Sequence, residues 1–507
     1  MTNATTPAPP SSLPEAQAAI ARLQLENQQL RWQVQQLKKE LYGPSADKAP
    51  VPQSYSQEQQ LLEVFPHRGE PPATQDVVLP ESQTQPSSPP RRQNRHPRPK
   101  VLEIVTERLE PEEKICPHCG QPKCEIGCER SERLEYVPAK LIRQEIIRPK
   151  LACRCGQGTV AIAQLPATVI EKGKPGPGLV SQVVLTKYDD HVPLYRQQQQ
   201  FERLGVSLAR STLSDWVERG AEWLQPIVRC MKNQLLAGDY LQVDETPVRV
   251  LDPEVKGQSV KGYLWVAGRP GGDVIFEFHP GRGTEYAREL LGNFRGYLQR
   301  DGYGVYGSLS QTPESGLKAC ACLAHVRRKF VDALVDEPTE AQWFVDQIRK
   351  LYRIEAHART EALTAEQRHL LRQELAPPIW SDIKSRLDQV GPTLLPQSPL
   401  GKAIKYALGE WQPLQTYLQD GRLEIDNNLT ENAIRPSAVG KKNYLFIGHP
   451  QAGWRSAVIY SVIVSCRRRG IDPWSYLKDV FTRLPGATNQ QLAEFVPARW
   501  KQTHAAS

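Results

Sequence analysis

The stretch from Tyr240 to Phe330 constrains the fold more than any other. YLQVDETPVRVL, KGYLWVAGR and DVIFEFHPG alternate apolar residues and are joined by turns containing Pro or Gly, which predicts three consecutive antiparallel strands. A helix over Thr284 to Phe294 follows, then a strand in GYLQRDGYGVY leading into a short helix, then a strand in KACACLA with HVRRKF opening another helix.

Three strands, then helix, strand, helix, strand, helix is the order of a ribonuclease H-like α/β domain, read here over 236–485. In that arrangement the first and fourth strands are neighbours, so Asp244 on the first and Asp301 at the end of the fourth converge. Between Asp301 and Glu431 lie 129 residues, more than the remaining elements need. Most of the excess, about 337–420, is helix-rich and interrupted by prolines at 377, 378, 392, 396 and 399, which predicts an α-helical insertion. Asp426 is expected to cap the helix carrying Glu431, with Asn427 and Asn428 competing for the role. Beyond it the sequence predicts a buried helix over Ala457 to Cys466, a basic stretch Arg467 to Arg469 and a helix opened by Asp472-Pro473. Residues 486–507 are read as a tail.

The N-terminal part is organised differently, so the chain is multidomain α+β. Ile20, Leu23, Asn27, Leu30, Val34, Leu37 and Leu41 recur at spacings of 3 and 4, an a/d seam that predicts a coiled-coil dimerisation helix over 14–43. Residues 44–100 hold 12 prolines with many Ser and Gln, the composition of a disordered tether. The tether ends in RRQNRHPRPK, whose Arg91, Arg92 and Arg95 are suited to DNA phosphates. Cys116-Pro-His-Cys119 and Cys153-Arg-Cys155 stand 33 residues apart, and two such turns can complete a tetrahedral structural Zn²⁺ site in a module over 101–165. Cys124, Cys128 and His118 are alternative ligands. Over 166–235 a helix through Tyr195 to Leu204 stops at Gly205. Ser211 then caps a second helix with Leu213, Trp216 and Val217 inward, a helix-turn-helix pattern that presents Arg210, Thr212 and Ser214.

The chain carries 64 Lys+Arg against 56 Asp+Glu. Its surplus sits in Arg91 to Lys100 and in 421–507, local blocks of the kind that meet a polyanion. The longest apolar run is ten residues, too short to span a bilayer. The N-terminus lacks the pattern of a signal peptide, and ten cysteines, six of them between Cys116 and Cys155, are too sparse for a disulfide scaffold and favour a metal, so a cytoplasmic protein is expected, nucleoid-associated if it binds DNA. No GxxxxGK[ST] occurs, so ATP-driven chemistry has no support.

From its LYGPSADK exit through CPHCG, KYDDHVPLYRQ, VDETPVRVL, QRDGYGVY and CLAHVRRKF to IDNNLTENAIRP and GKKNYLFIG, the chain resembles the large DDE transposase of the insertion-sequence 66 family of bacterial mobile elements. The resemblance implies a DNA transposase that binds terminal inverted repeats, with Asp244, Asp301 and Glu431 as catalytic Mg²⁺ (or Mn²⁺) ligands. It further implies double-stranded DNA as partner, a homodimer or higher oligomer, and accessory proteins of the same element. Two-ion phosphoryl transfer explains three carboxylates, with Asp244 shared between the ions. Glu245 follows Asp244 directly and is expected on the opposite strand face. Arg435 stands one helical turn beyond Glu431, and Lys441, Lys442, His325, Arg327 and Arg328 are further candidates for DNA contact. Two other readings use the same features: a non-catalytic zinc-stabilised dimeric DNA-binding protein, either a repressor or a decayed transposase, and an RNA-directed hydrolase.

Overall fold

The computed structural model describes residues 141–151, 161–170, 175–255, 259–310 and 313–504. The heptad seam, the tether with Arg91, Arg92 and Arg95, and Cys116, Cys119, Cys153 and Cys155 lie outside the described residues. Two units are distinguished. Residues 141–148 belong to one and carry neither helix nor strand; Pro149–Ser507 belongs to the other.

In that second unit β1 (Lys150–Leu151) pairs antiparallel with β2 (Ala161–Ile162). Three helices follow: α1 (Pro177–Tyr188), α2 (Leu194–Arg203) and α3 (Arg210–Leu236). Gly205, at φ 81, turns the chain after α2, a conformation that suits glycine. The predicted inward residues Leu213, Trp216 and Val217 are buried. Ser211 is not the cap: Ala209 holds that position, and Ser211 lies exposed in the first turn. Packing of the apolar face sets where the helix begins, and capping preference yields to it. The helix is also longer than the short second helix expected, running 27 residues through Pro226.

The sheet comprises β3 (Tyr240–Leu251), β4 (Ser259–Gly268), β5 (Val274–His279), β6 (Gly296–Arg300) and β7 (Leu317–Ala321), in the order β5-β4-β3-β6-β7. β3, β4 and β5 pair antiparallel, as the alternation predicts; β3, β6 and β7 pair parallel. Parallel neighbours need crossovers, which α4 (Thr284–Leu291) and α5 (Gly304–Ser310) supply.

α6 (Leu323–Ala333) leaves β7, and the excess residues form α7 (Pro338–Thr360), α8 (Ala365–Val390), α9 (Pro399–Gly409) and α10 (Trp411–Gln415). Pro377 and Pro378 do not break the helix as expected; they sit inside α8. Burial of Ala376, Ile379, Trp380 and Ile383 around them outweighs the loss of two N–H donors. These helices share one apolar core with β7 and α6, in which Phe330 stacks on Phe344 at 4.4 Å.

α11 (Asn428–Tyr444) carries Glu431, and α12 (Gly453–Arg468) is the buried helix, with every residue from Ala457 to Cys466 buried. Its two buried serines have a use. β5 is an edge strand, and its Val274 and Phe276 amides donate to Ser465 Oγ at 3.0 Å and Ser461 Oγ at 2.8 Å. Four helical residues rise about 6 Å and two strand residues about 6.6 Å, so i,i+4 hydroxyls match alternate edge amides and close the edge. Asp472 caps α13 (Pro473–Arg483) by accepting from Ser475 N at 2.9 Å. The basic stretch is tied into this unit, with Arg467 on Asp189 and Arg469 on Asp273. The segment read as a tail is folded too: Phe495 and Val496 are buried, and α14 (Pro497–His504) follows. Among the described residues, no helix is long and apolar enough to cross a membrane.

Candidate active site

Parallel pairing brings the two aspartates together. Tyr240 lies opposite Tyr297 and Gln242 opposite Gln299, so two residues further along, Asp244 comes level with Asp301 just past the end of β6. Asp301 Oδ1 accepts from Tyr303 N at 3.0 Å, which fixes its rotamer in a tight turn. The next residue has to be glycine, because a Cβ on Gly302 would overlap the Tyr406 ring.

Glu431 arrives from the first turn of α11, where the positive end of the helix favours a carboxylate. The segment before it is held by a buried polar network. Gln242 Nε2 lies 2.7 Å from Gln299 Oε1 and 3.3 Å from the Asp426 carbonyl, while Thr430 Oγ1 donates to Gln242 Oε1 at 3.1 Å. Gln299 Nε2 donates to the Glu424 carbonyl at 2.7 Å, and Tyr240 OH donates to Gln299 while accepting from Glu424 N at 3.0 Å. Asn427, the residue at the helix cap, spends its side chain on the Val243 carbonyl at 2.8 Å. Asp426 does reach the helix N-terminus, accepting from Asn428 N at 3.0 Å, and also takes Tyr352 OH at 2.8 Å. Four of these residues, Tyr240, Gln242, Gln299 and Thr430, carry no sequence signal for holding this segment other than polar residues interrupting inward strand positions, whereas Asn427 is one of the expected caps.

The carboxylates fall into two adjoining groups. Oxygens of Asp244, Glu245 and Asp301 lie within 4.8 Å of one another; Glu431 makes a second group with His325 and Cys322. Asp244 senses both. Burial, then the negative charges of Glu245, Glu431 and Asp301, push its carboxyl up to about 8. The expectation that Glu245 stands apart is corrected, since strand alternation separates Cβ atoms and not the end of a longer side chain. Its oxygens are nevertheless committed: Oε1 to Arg282 and Oε2 to Tyr306 OH at 2.7 Å.

Glu431 lies 3.7 Å from His325 Nδ1 and 3.7 Å from Arg328 Nη2. Its Oε1 and His325 Nδ1 are buried atoms without a hydrogen-bond partner among the described residues. Cys322 does not make this a soft-metal centre, because burial pushes its thiol far up and its sulfur accepts from Asn427 N at 3.3 Å. An orphaned carboxylate oxygen beside crowded carboxylates, with hard oxygen donors, fits a divalent cation such as Mg²⁺ or Mn²⁺.

The other sequence-predicted residues are spread more widely. Arg328 is exposed and faces Glu431, whereas Arg327 is half-buried beside Tyr352 and Arg349. Consecutive helical positions point about 100° apart, which explains that separation. Arg435 and Lys442 are exposed on α11; Lys441 instead ties α11 to β3 through Thr246 Oγ1 at 3.0 Å and the Pro247 carbonyl at 2.8 Å. Arg210 is exposed and Thr212 and Ser214 half-buried at the start of α3.

Comparison with known proteins gives three matching family profiles. "Transposase IS66 family" matches residues 172–455, "zinc-finger binding domain of transposase IS66" residues 113–156 and "IS66 C-terminal element" residues 461–498. Three uncharacterized proteins of Sinorhizobium fredii are similar along most of their length. y4jD is 36% identical over 80% of this chain and 81% of its own, y4qI 33% over 77% and 75%, and y4hP 29% over 82% and 78%.

Proposed function

Since this chain belongs to the IS66 transposase family, we propose that it binds the terminal inverted repeats of its element, cleaves there to free a 3′ hydroxyl, and joins that hydroxyl to target DNA. The observation that carries this reading is the meeting of Asp244 and Asp301 on paired parallel strands, with Glu431 on α11 near enough for its charge to raise the Asp244 carboxyl. The strand order β5-β4-β3-β6-β7, three antiparallel and two parallel, supports a ribonuclease H-like catalytic domain.

Asp244, Asp301 and Glu431 would hold two Mg²⁺ or Mn²⁺ ions, Asp244 shared, which when bound supply activation of the attacking oxygen and stabilisation of the leaving 3′ oxygen. The residues of the chain do the positioning. Arg282 and Tyr306 keep Glu245 occupied, so its charge is spent inside the protein. Arg328 and Arg435 present donors near Glu431 that orient a phosphate, and Lys442, three turns further along α11, would meet flanking DNA. The zinc-finger family match supports a structural Zn²⁺ held by Cys116, Cys119, Cys153 and Cys155. The heptad seam would dimerise the chain, and α2 with α3 would supply the helix-turn-helix contact through Arg210, Thr212 and Ser214. Accessory proteins of the element and a cytoplasmic, nucleoid-associated location belong to the same reading.

Asp301→Asn tests it on labelled element ends. The variant is expected to bind them while metal-dependent joining falls at least about a hundredfold, and it should lose the thermal stabilisation that Mg²⁺ or Mn²⁺ gives the wild type. Joining at the wild-type rate would remove Asp301 from the site.

A further inference from the structure

A groove of about 1220 Å³ opens between the far ends of β3 and β4 and the last turn of α11, larger than the roughly 300–1,000 Å³ of a small-molecule pocket. It is lined by Leu251, Leu445 and Phe446, which are 37%, 62% and 42% exposed, and by Arg249, Lys261 and Lys441. Among the described residues that line it, Asp252 is the one carboxylate. Lys441 and Arg249 hydrogen-bond to neutral oxygens of Thr246, Pro247 and Ser259, so the rim keeps its positive charge.

The backbone there is strained. Leu445 takes φ 64 and ψ −44, and Phe446 N donates to the Tyr444 carbonyl at 2.7 Å, closing a three-residue γ-turn on a non-glycine centre. Such a turn persists only where its surroundings hold it, and strained backbone clusters at ligand clamps. Here Ile447 holds it: Ile447 N donates to the Arg249 carbonyl and Leu251 N to the Ile447 carbonyl, each at 2.8 Å. The result is two large apolar side chains pushed into solvent above a cationic rim. The same bonds occupy the β3 backbone, so a peptide cannot add there as a strand, and whatever binds must be recognised by side chains.

We propose that this groove receives unpaired nucleotides of DNA, whose bases stack on Phe446 and Leu445 while their phosphates meet Arg249, Lys261 and Lys441. An aromatic platform with a cationic track is the side-chain solution for single strands, because every base has a ring face. Position agrees with this. Leu445 lies fourteen residues beyond Glu431, roughly 21 Å along the helix or about six base-pair steps, so a strand leaving the carboxylate site reaches the groove as flanking DNA.

The inference rests on the DNA reading of the carboxylate site, and one experiment separates the two. The full chain is titrated by fluorescence anisotropy, in EDTA, with a blunt duplex and with the same duplex carrying a short unpaired tail. The wild type is expected to prefer the tailed duplex. Phe446→Ala should weaken tailed binding by about 5- to 100-fold and leave blunt binding unchanged. Leu445→Gly relieves the turn, so it should match or exceed wild-type melting temperature while losing the same preference, which excludes misfolding as the cause. Variants that keep the preference overturn the groove assignment alone. So does a change in sedimentation mass on substitution, since the groove would then join two copies. A wild type that binds neither duplex overturns the DNA reading as well.

Discussion

Gln242 is one of the residues through which the sheet holds the start of the helix carrying Glu431, and Gln242→Leu tests that directly. The side chain is fully buried on β3, bridges to Gln299 on β6, and meets the Asp426 carbonyl and Thr430 hydroxyl just before Glu431. Leucine fills a similar volume but removes every one of those bonds. The Thr430 hydroxyl and the Asp426 carbonyl then lose a partner inside the protein. At about 1–3 kcal/mol for each buried polar group left unsatisfied, and with some relaxation, the expected loss is about 2–4 kcal/mol. Urea unfolding followed by tryptophan fluorescence measures it. A second effect follows from position: Thr430 is adjacent to Glu431, and a shift of about 1 Å at a catalytic group costs on the order of a hundredfold in rate. Joining should therefore fall by that order under conditions where the variant is still folded, while affinity for DNA ends is kept. A variant within about 0.5 kcal/mol of wild type and joining at the normal rate would refute the claim that this network positions the carboxylate.

Two further outcomes follow from buried charge. Arg372 is completely buried and bonds both oxygens of Glu355 and the carbonyls of Tyr417, Asp420 and Leu423, so Arg372→Met should cost about 3–5 kcal/mol by calorimetry. Asp426 is the second case: burial first, then the nearby Glu424, push its carboxyl up to about 6, against its bonds from Asn428 and Tyr352. The folded protein then holds this proton over a range where the unfolded chain has released it. Stability from this group is complete below about pH 4 and is lost as pH rises through about 6, a difference of about 2–3 kcal/mol. Asp426→Asn should remove that slope, so wild type minus variant falls between pH 4 and 6 in thermal unfolding; a flat difference would show that the carboxyl is not perturbed.

What sequence determined was local. Alternation fixed three strands from Tyr240, a mostly apolar run fixed the buried helix around Ile459, and Asp472 before Pro473 fixed a cap, because each signal lies within one element. The nearness of Asp244 and Asp301 was also legible, since the element order prescribes which strands are neighbours. The cap at Ser211 and the proline breaks in α8 failed for a shared reason: apolar packing from elsewhere outweighed a local preference of smaller size. Tertiary structure alone decided three things. Gln242 finds its partners at Asp426 and Thr430, more than 180 residues on, and no periodicity records such a bond. Arg282 and Tyr306 decide that both oxygens of Glu245 are taken up by side chains while Asp244 accepts only the Glu245 amide among the bonds described, though the two are adjacent in the chain. The turn at Leu445 has neither glycine nor asparagine to announce it, because Ile447 docked on β3 imposes a conformation that the local residues do not prefer.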